Sequence, residues 1–443
     1  MKIALINPPV PGLLGLLSER PFAPLGLGCI AAYLRRGGHE VRIFSPHISR
    51  LKDGRMWEPV EKFAPDIAGF TSVTPNFMIA RELAVQAKAR LGCLVVMGGP
   101  HVTAIPRSSL ESAPALDAVI RGEGEIPMLA LADQFDASGK VDFAAVPGAA
   151  YLAGGGYREV PRPDYIADLD GLPYPARDLS DTEDYAPDAR SMRLISSRGC
   201  PGQCTFCGSI CMGRKFRARS PEQVAGEMAH LAGKYGVRSF NIVDDCFTAD
   251  PARAAKICDL IVDARLKVSW TINGRVNTLQ DEGLLRKLKR AGCVQVLLGI
   301  ESGNQRILDL MKKGTTLAAA EECCARLRRH GIACFNSFIL GNEGEDWRTA
   351  LDTISFSKKL GSELVLFGRL MPSPGTPVFE KYYKDFDRPD TDWDRWSSML
   401  PVQPCENRHT ALSQRALYWL TIWAYLRYFL DPVQLLRLMF CTP

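Results

Sequence analysis

The sequence predicts an α/β fold in two parts: a doubly wound parallel sheet over residues 1–140 and a partial (β/α)6 barrel over 191–380. A linker over 141–190 lies between them, and a helical segment over 381–443 follows. Three observations predict this. Short apolar runs rich in β-branched residues alternate with stretches of helical periodicity. The alternation stops once, in a Gly-, Pro- and Asp-rich stretch, and then restarts. Glycine and polar loop residues fall where candidate strands end, which is where open parallel sheets and barrels carry their ligands. At 443 residues, 46% of them hydrophobic, the chain is long enough for two or three domains with sizeable cores.

In the first part, runs at 3–6, 41–44, 67–70, 94–97 and 118–120 have strand length, with helical patterns such as 25–36 and 77–90 between them. The strand ends carry Asn7-Pro8-Pro9, Thr71-Ser72, Gly98-Gly99-Pro100-His101 and Arg121-Gly122-Glu123-Gly124-Glu125. Gly154-Gly155-Gly156, Pro161-Arg162-Pro163 and Leu172-Pro173-Tyr174-Pro175 give the middle stretch the composition of a connector, with room for a small hairpin. Candidate strands then recur at 194–197, 240–243, 268–272, 294–298, 335–340 and 364–367. One intervening helix opens on Ser220-Pro221-Glu222 and another near Asp281. Six repeats suit a partly closed barrel with its chemistry at the carboxyl ends of the strands.

Composition narrows the function classes. A balance of 54 Lys+Arg against 49 Asp+Glu leaves +5, too weak a bias to indicate nucleic acid. The opening MKIALINPPV has neither a basic n-region nor a small-residue cleavage site, and it reads as a strand rather than a signal peptide. No uncharged apolar stretch has the length of a membrane span, so a cytoplasmic location is expected. Fourteen cysteines without an export signal point to a reducing compartment. Most of them read as small buried hydrophobes.

Three do not. Arg198-Gly199-Cys200-Pro201-Gly202-Gln203-Cys204-Thr205-Phe206-Cys207 places three thiols in one loop, separated by three and two residues. Thiolates select zinc or iron–sulfur clusters. A structural zinc site wants four ligands, usually as two separated pairs, and no histidine lies within this motif. A cubane on three cysteines leaves one iron open for a substrate or cofactor. Cys211 is either a fourth ligand that would close the site or a local packing residue.

This CxxxCxxC pattern behind the first barrel strand resembles the radical SAM superfamily, and the resemblance covers most of residues 190–380. It implies a [4Fe–4S] cluster on Cys200, Cys204 and Cys207 that cleaves S-adenosylmethionine (SAM) reductively, giving methionine and a 5′-deoxyadenosyl radical. Asp244-Asp245 stands where the superfamily holds the SAM amino group, although many members have Gly-Gly-Glu there. Arg275, in Asn273-Gly274-Arg275, follows the third strand. Gly299-Ile300-Glu301-Ser302-Gly303 follows the fourth and is similar to the segment that meets the methionine and ribose groups of SAM. Phe338-Ile339-Leu340-Gly341 and Pro372-Ser373-Pro374-Gly375-Thr376 match the later strand ends. Without the cysteines, Asp244 and Asp245 suit a helix cap equally well, Arg275 the surface, and Glu301 a solvated turn.

A flavodoxin-like (Rossmann-type) sheet ahead of such a barrel resembles the cobalamin-binding radical SAM class. The matching stretches are Pro24-Leu25-Gly26-Leu27, Pro65-Asp66-Ile67-Ala68-Gly69-Phe70, Gly98-Gly99-Pro100-His101 and the acidic-glycine turn 122–125. The resemblance implies cobalamin across the strand ends, with Ser72, Thr74, Gly99, His101, Gly122 and Glu123 as contacts. The DxHxxG signature that gives many cobalamin proteins a cobalt ligand is absent, which leaves the lower axial ligand open. His101 is either that ligand or a loop histidine bonded locally.

Residues 415–440 (RALYWLTIWAYLRYFLDPVQLLRLMF) read as an aromatic helix broken near Asp431-Pro432, with sparse basic charges at Arg415, Arg427 and Arg437. Such a helix either lies on a membrane surface and serves a lipid-like substrate, or packs on the barrel with its Arg stems along it. Taken whole, the resemblance implies a class B-like radical SAM C-methyltransferase. One SAM supplies the methyl group by way of cobalamin, and a second makes the radical that takes hydrogen from an unactivated carbon of a small-molecule or lipid-like substrate. Flavodoxin or ferredoxin would be the external electron donor. Two rivals stand beside it: a non-methylating radical SAM enzyme (cyclase, ring contraction or transfer of another SAM fragment), and an iron–sulfur redox sensor.

Overall fold

The computed structural model describes residues 1–10, 24–46, 51, 54–179, 191–396, 407–432 and 434. By contact the chain divides into two compact units. Unit 1 is Met1–Pro187 with Ser373–Gly375 and Tyr383–Leu400; unit 2 is Asp188–Pro372 with Thr376–Tyr382 and Pro401–Pro443.

Unit 1 is built on strands β1 (Lys2–Ile6), β2 (Glu40–Phe44), β3 (Ile67–Thr71), β4 (Leu94–Gly98), β5 (Ala118–Ile120), β6 (Ala149–Ala153) and β7 (Gly156–Glu159). Their order is β2-β1-β3-β4-β5-β6-β7. The first five pair in parallel, and β6 and β7 add on antiparallel. The stretch expected to serve as linker therefore extends the sheet with its hairpin. Central strands buried on both faces are apolar throughout, as in the fully buried 3–6 of β1. Helices α1 (Leu25–Arg36), α2 (Phe77–Leu91) and α3 (Glu125–Ser138) flank the sheet, and Leu27, Leu34 and Leu131 close a core with Ile3, Leu5, Ile67, Val96 and Ile120. The strand order reverses between β1 and β3, the switch point at which such sheets open a crevice.

The tail expected to be one helical segment is divided. Its 383–396 part belongs to unit 1, where Trp396 is buried against Tyr383 at 5.7 Å and Phe386 at 5.6 Å. Ser108 Oγ donates to Asp387 Oδ1 at 2.5 Å and anchors the same strap.

Unit 2 carries β8 (Ser191–Leu194), β9 (Ser197–Arg198), β10 (Arg217–Ala218), β11 (Ser239–Ile242), β12 (Ser269–Gly274), β13 (Cys293–Glu301), β14 (Ala333–Leu340) and β15 (Leu364–Arg369). Six of these form a parallel sheet in the order β15-β14-β13-β12-β11-β8, wound with α4 (Pro221–Tyr235), α5 (Pro251–Asp263), α6 (Glu282–Arg290), α7 (Leu317–Arg329) and α8 (Trp347–Leu360). Ser220, Asp250, Asp281, Thr316 and Asp346 each accept a backbone N–H in the first turn of one of these helices, which is why the helices begin there. Leu194, Ile242, Trp270, Val296, Leu298, Phe338 and Phe367 fill the core. The strand expected at 194–197 breaks after Leu194 because Ser196 and Ser197 turn their donors to Asp244. The chain then forms the two-residue β9, which pairs antiparallel with β10.

The last helix, α9 (Gln414–Phe429), packs on α8 and on the edge strand β15. Tyr425 Oη accepts from Phe367 N at 3.0 Å, and Tyr428 Oη donates to Ser362 O at 2.5 Å. Arg437 and its neighbours from 435 onward lie outside the described residues, as do 180–190 of the stretch read as linker. Among the described residues no helix is long and apolar enough to cross a membrane.

Candidate active site

In unit 2 the three-cysteine loop leaves the barrel at the carboxyl end of β8, and the β9–β10 pair pins its base. Cys200 and Cys207 are half-buried and Cys204 is buried, all as free thiols. Thr205 N donates to Met311 O at 3.0 Å, tying the loop to a turn that follows β13. Arg275, just past β12, directs one guanidinium nitrogen at Cys204 Sγ at 3.7 Å and another to Lys313 O at 2.6 Å. A side chain at Gly202 would collide with that guanidinium. Arg275, named in the sequence for its place after the third strand, thus stands beside the cysteine loop.

The end of β13 is the most constrained part of the site. Glu301 adopts φ +70° and the β13–β14 register shifts between Gly299 and Glu301. A non-glycine residue in that region costs about 1–3 kcal/mol and persists only where its surroundings fix it. Here they do: Lys313 Nζ donates to Glu301 Oε1 at 2.7 Å, with both side chains about nine-tenths buried. A Cβ at Gly299 would strike Glu301 Oε1 and lie 2.7 Å from Lys313 Nζ, so the glycine makes room for the pair. The same ammonium lies 6.0 Å from the ring of Phe206 in the cysteine loop. The Met311-Lys312-Lys313-Gly314 turn thus touches the cysteine loop, the end of β12 and the end of β13.

The remaining expected residues separate into two groups. Asp244 is fully buried and accepts from Ser196 N, Ser196 Oγ and Ser197 Oγ at 2.5–2.6 Å. Burial pushes its carboxyl up from the ordinary range, against those hydrogen bonds and the nearby Arg253. Its oxygens are committed to holding β8 and β11 together. Asp245 points the other way, is exposed, and accepts from Ser209 Oγ at 2.6 Å beside the cysteine loop. Ser302 is buried against Thr353 Oγ1 at 3.2 Å and shapes the turn. Cys211 lies in the short turn Gly208–Met212, where burial pushes its thiol up to about 11, helped by Asp245 and Cys207. Two residues escaped the sequence reading. Lys313 carries no motif of its own, and the fully buried Cys246, beside Cys200, was hidden as one more core cysteine.

Among the described residues no three His, Cys, Asp or Glu side chains are gathered into a cage for a single metal ion. The chemistry that fits a cluster here is the donor set: three thiols on one loop, a guanidinium that offsets thiolate charge, and glycines where bulk would collide.

In unit 1 the expected residues at the ends of β3 and β4 form one knot. Ser72 N donates to Gly98 O at 2.9 Å, and His101 N to Ser72 O at 3.3 Å. Gly99 has φ +105°, and a Cβ there would collide with Ser72 O and lie 2.8 Å from Ser72 N. Gly99→Ala is therefore expected to destabilise unit 1 by about 2–4 kcal/mol, read as a lowered urea midpoint. The His101 ring is fully buried, stacked on Phe77 at 4.1 Å with Trp393 edge-on at 4.9 Å. Its Nδ1 faces Thr74 Oγ1 at 3.1 Å, while Nε2 is buried with no hydrogen-bond partner among the described residues. Burial pulls its pKa down from 6.5 to about 3. The unfolded chain then binds a proton near 6.5 that the folded one refuses, so stability falls as pH drops from 6.5 towards 3. Between pH 7 and pH 5 the loss is about 2 kcal/mol. His101→Phe is expected to flatten that slope in urea unfolding at the two pH values.

Gly122 N donates to Thr103 Oγ1 at 3.0 Å, and Glu123 Oε2 accepts from Ile166 N at 2.7 Å. These two residues border a cavity of about 340 Å³ whose other walls include Arg121, Arg162 and Tyr165. The strand ends otherwise offer small residues and an exposed Val73. The charged and polar lining of this cavity offers hydrogen-bond partners to the amide arms of a corrinoid.

The comparisons with known proteins agree with both units. The sequence profile of the Radical SAM superfamily matches residues 194–357, and that of the B12 binding domain matches 14–132. An uncharacterized methyltransferase of Pyrococcus horikoshii is 32% identical over 99% of this chain and 95% of its own. The anaerobic magnesium-protoporphyrin IX monomethyl ester cyclase of Rubrivivax gelatinosus is 30% identical over 81% of this chain and 66% of its own. The structure of TsrM, a radical SAM methyltransferase from Kitasatospora setae with cobalamin and a [4Fe–4S] cluster bound, shares the fold at 20% identity, with TM-score 0.73, over 87% of this chain and 78% of that one. The chain belongs to the cobalamin-binding family of radical SAM enzymes. Its cofactors are accordingly SAM, a [4Fe–4S] cluster and cobalamin.

Proposed function

We propose that this enzyme is a methyltransferase that acts on an unactivated carbon of a small-molecule or lipid-like substrate. The observation that carries the reading is the three-thiol loop and its cationic neighbours at the carboxyl ends of the barrel strands, in a chain that also has a B12 binding domain. Its likeness over nearly its whole length to a protein named a methyltransferase supports it. In this assignment unit 1 is the cobalamin domain and unit 2 the radical SAM core, with Cys200, Cys204 and Cys207 as the cluster ligands. Bound there, the cluster supplies the electron that cleaves SAM to methionine and a 5′-deoxyadenosyl radical, and cobalamin carries the methyl group.

The chain's own residues do the rest. Arg275 offsets thiolate charge at Cys204 and locks the loop to Lys313 O. Asp245, exposed at the end of β11, is the carboxylate available to the SAM amino group, while Asp244 only holds the strands. Glu301 and Lys313 present fixed, opposite charges to a zwitterionic ligand. In unit 1, Ser72, Gly99, Gly122 and Glu123 shape the corrinoid face. Thr74 and His101 buttress it from beneath, since Phe77 and Trp393 hold the imidazole in place. Flavodoxin or ferredoxin in the cytoplasm would supply electrons.

The test is anaerobic turnover with methyl-labelled SAM, a strong reductant and candidate acceptors. Label in the product together with 5′-deoxyadenosine supports methylation; 5′-deoxyadenosine with no label in the product rejects it. The second outcome would favour a cyclase-type reaction, a reading supported by the likeness to the Rubrivivax gelatinosus enzyme.

A further inference from the structure

We propose that the outward face of α9 docks unit 2 on an anionic lipid bilayer. The helix is apolar on both sides. Leu417, Leu420, Ala424 and Tyr428 are buried against the barrel. The opposite side bears Tyr418, Trp419, Trp423, Leu426 and Leu430 at one-turn and two-turn spacing, with Trp419 55% and Trp423 49% exposed. A helix apolar all round belongs in a core or against lipid, and among the described residues the side bearing Trp419, Trp423 and Leu426 is exposed. The stripe from Tyr418 to Leu430 runs about 18 Å, too short to cross a bilayer and long enough to lie in its surface.

Charge selects the occupant. The helix carries Arg415 and Arg427 and no carboxylate, and neither arginine makes an ion pair among the described residues. Asp431, just beyond the helix, is already paired with Lys358 at 2.6 Å. A protein partner would meet a polar rim of both signs. The charges of the helix itself are both cationic, and Trp and Tyr are the side chains that settle at the headgroup level of a bilayer. The neighbouring α8 adds exposed Trp347 and Leu351 to unit 2. The inference is independent of which carbon is methylated.

The experiment is flotation of the full, cluster-loaded chain with vesicles of phosphatidylcholine alone or with one-third phosphatidylglycerol. The expected result is binding to the mixed vesicles that weakens with salt and falls by about tenfold or more in Trp419→Glu/Trp423→Glu. Iron content and circular dichroism should not change, because both positions are exposed. Arg415→Gln/Arg427→Gln should lessen the dependence on phosphatidylglycerol. No binding to anionic vesicles at low salt, or equal binding by the tryptophan variant, overturns the proposal. So does a concentration-dependent dimer that the tryptophan variant abolishes while vesicles are ignored, because the stripe would then cover a second copy.

Discussion

Cys204→Ala is expected to strip the protein of its cluster and to lower 5′-deoxyadenosine formation by roughly a thousandfold or more. Cys204 is the buried member of the three thiols, and the Arg275 guanidinium points at its sulfur. With that sulfur gone, the guanidinium keeps only Lys313 O and the remaining two sulfurs lack the convergence a cubane needs. Iron per chain after anaerobic reconstitution and product analysis with a strong reductant are the two readouts. Cys258→Ala, a buried core cysteine far along α5, serves as control and should keep both. Full iron and full turnover in Cys204→Ala would remove the basis of the site assignment.

Lys313→Met should have the second largest effect. Breaking a buried ion pair from one side leaves the other charge uncompensated, at a cost of about 3–5 kcal/mol. Glu301 is also held at positive φ, so the loss falls on a residue with little freedom to swing out to water. The expected outcome is a lowered melting temperature and a SAM dissociation constant raised by about tenfold or more. Lys313→Arg, which keeps the charge, should lose less of both. The double change Lys313→Met/Glu301→Gln removes the stranded charge and should recover stability without recovering SAM affinity. Calorimetric titration that finds Lys313→Met binding SAM like the parent would end the assignment of this pair to the cofactor.

What the sequence displays and what it hides follow from physical range. The cysteine loop is legible because its three sulfurs lie within eight residues, so spacing alone reports the geometry. Strand ends are legible because β-branched runs stop at glycine and polar residues. The division of labour between Asp244 and Asp245 is not legible. Successive residues at a strand end face opposite ways, and only the β8–β11 register reveals which one meets Ser196. Lys313 could not be paired with Glu301 from spacing, because a helix and a turn intervene between them. Arg275 is a surface-type residue until folding sets it beside a sulfur 71 positions away. The small hairpin of β6 and β7 is legible in its glycine-rich turn, but its pairing with β5, which extends the sheet, is not. The strap at 383–396 has too little periodicity to announce that it belongs to the first unit rather than to the last helix.

That strap sets an order of events during synthesis. The sheet of unit 1 leaves the ribosome first, but Trp393, which closes over His101, and Trp396, which packs on Trp393, emerge about 200 residues later. At ordinary elongation rates the delay is roughly 10–40 s. Throughout it, a finished sheet waits with an aromatic gap beside its ligand-facing loops. A nascent chain stalled inside the barrel would therefore display that gap to chaperones, and the amino-terminal half can become fully native only once translation has passed beyond the barrel.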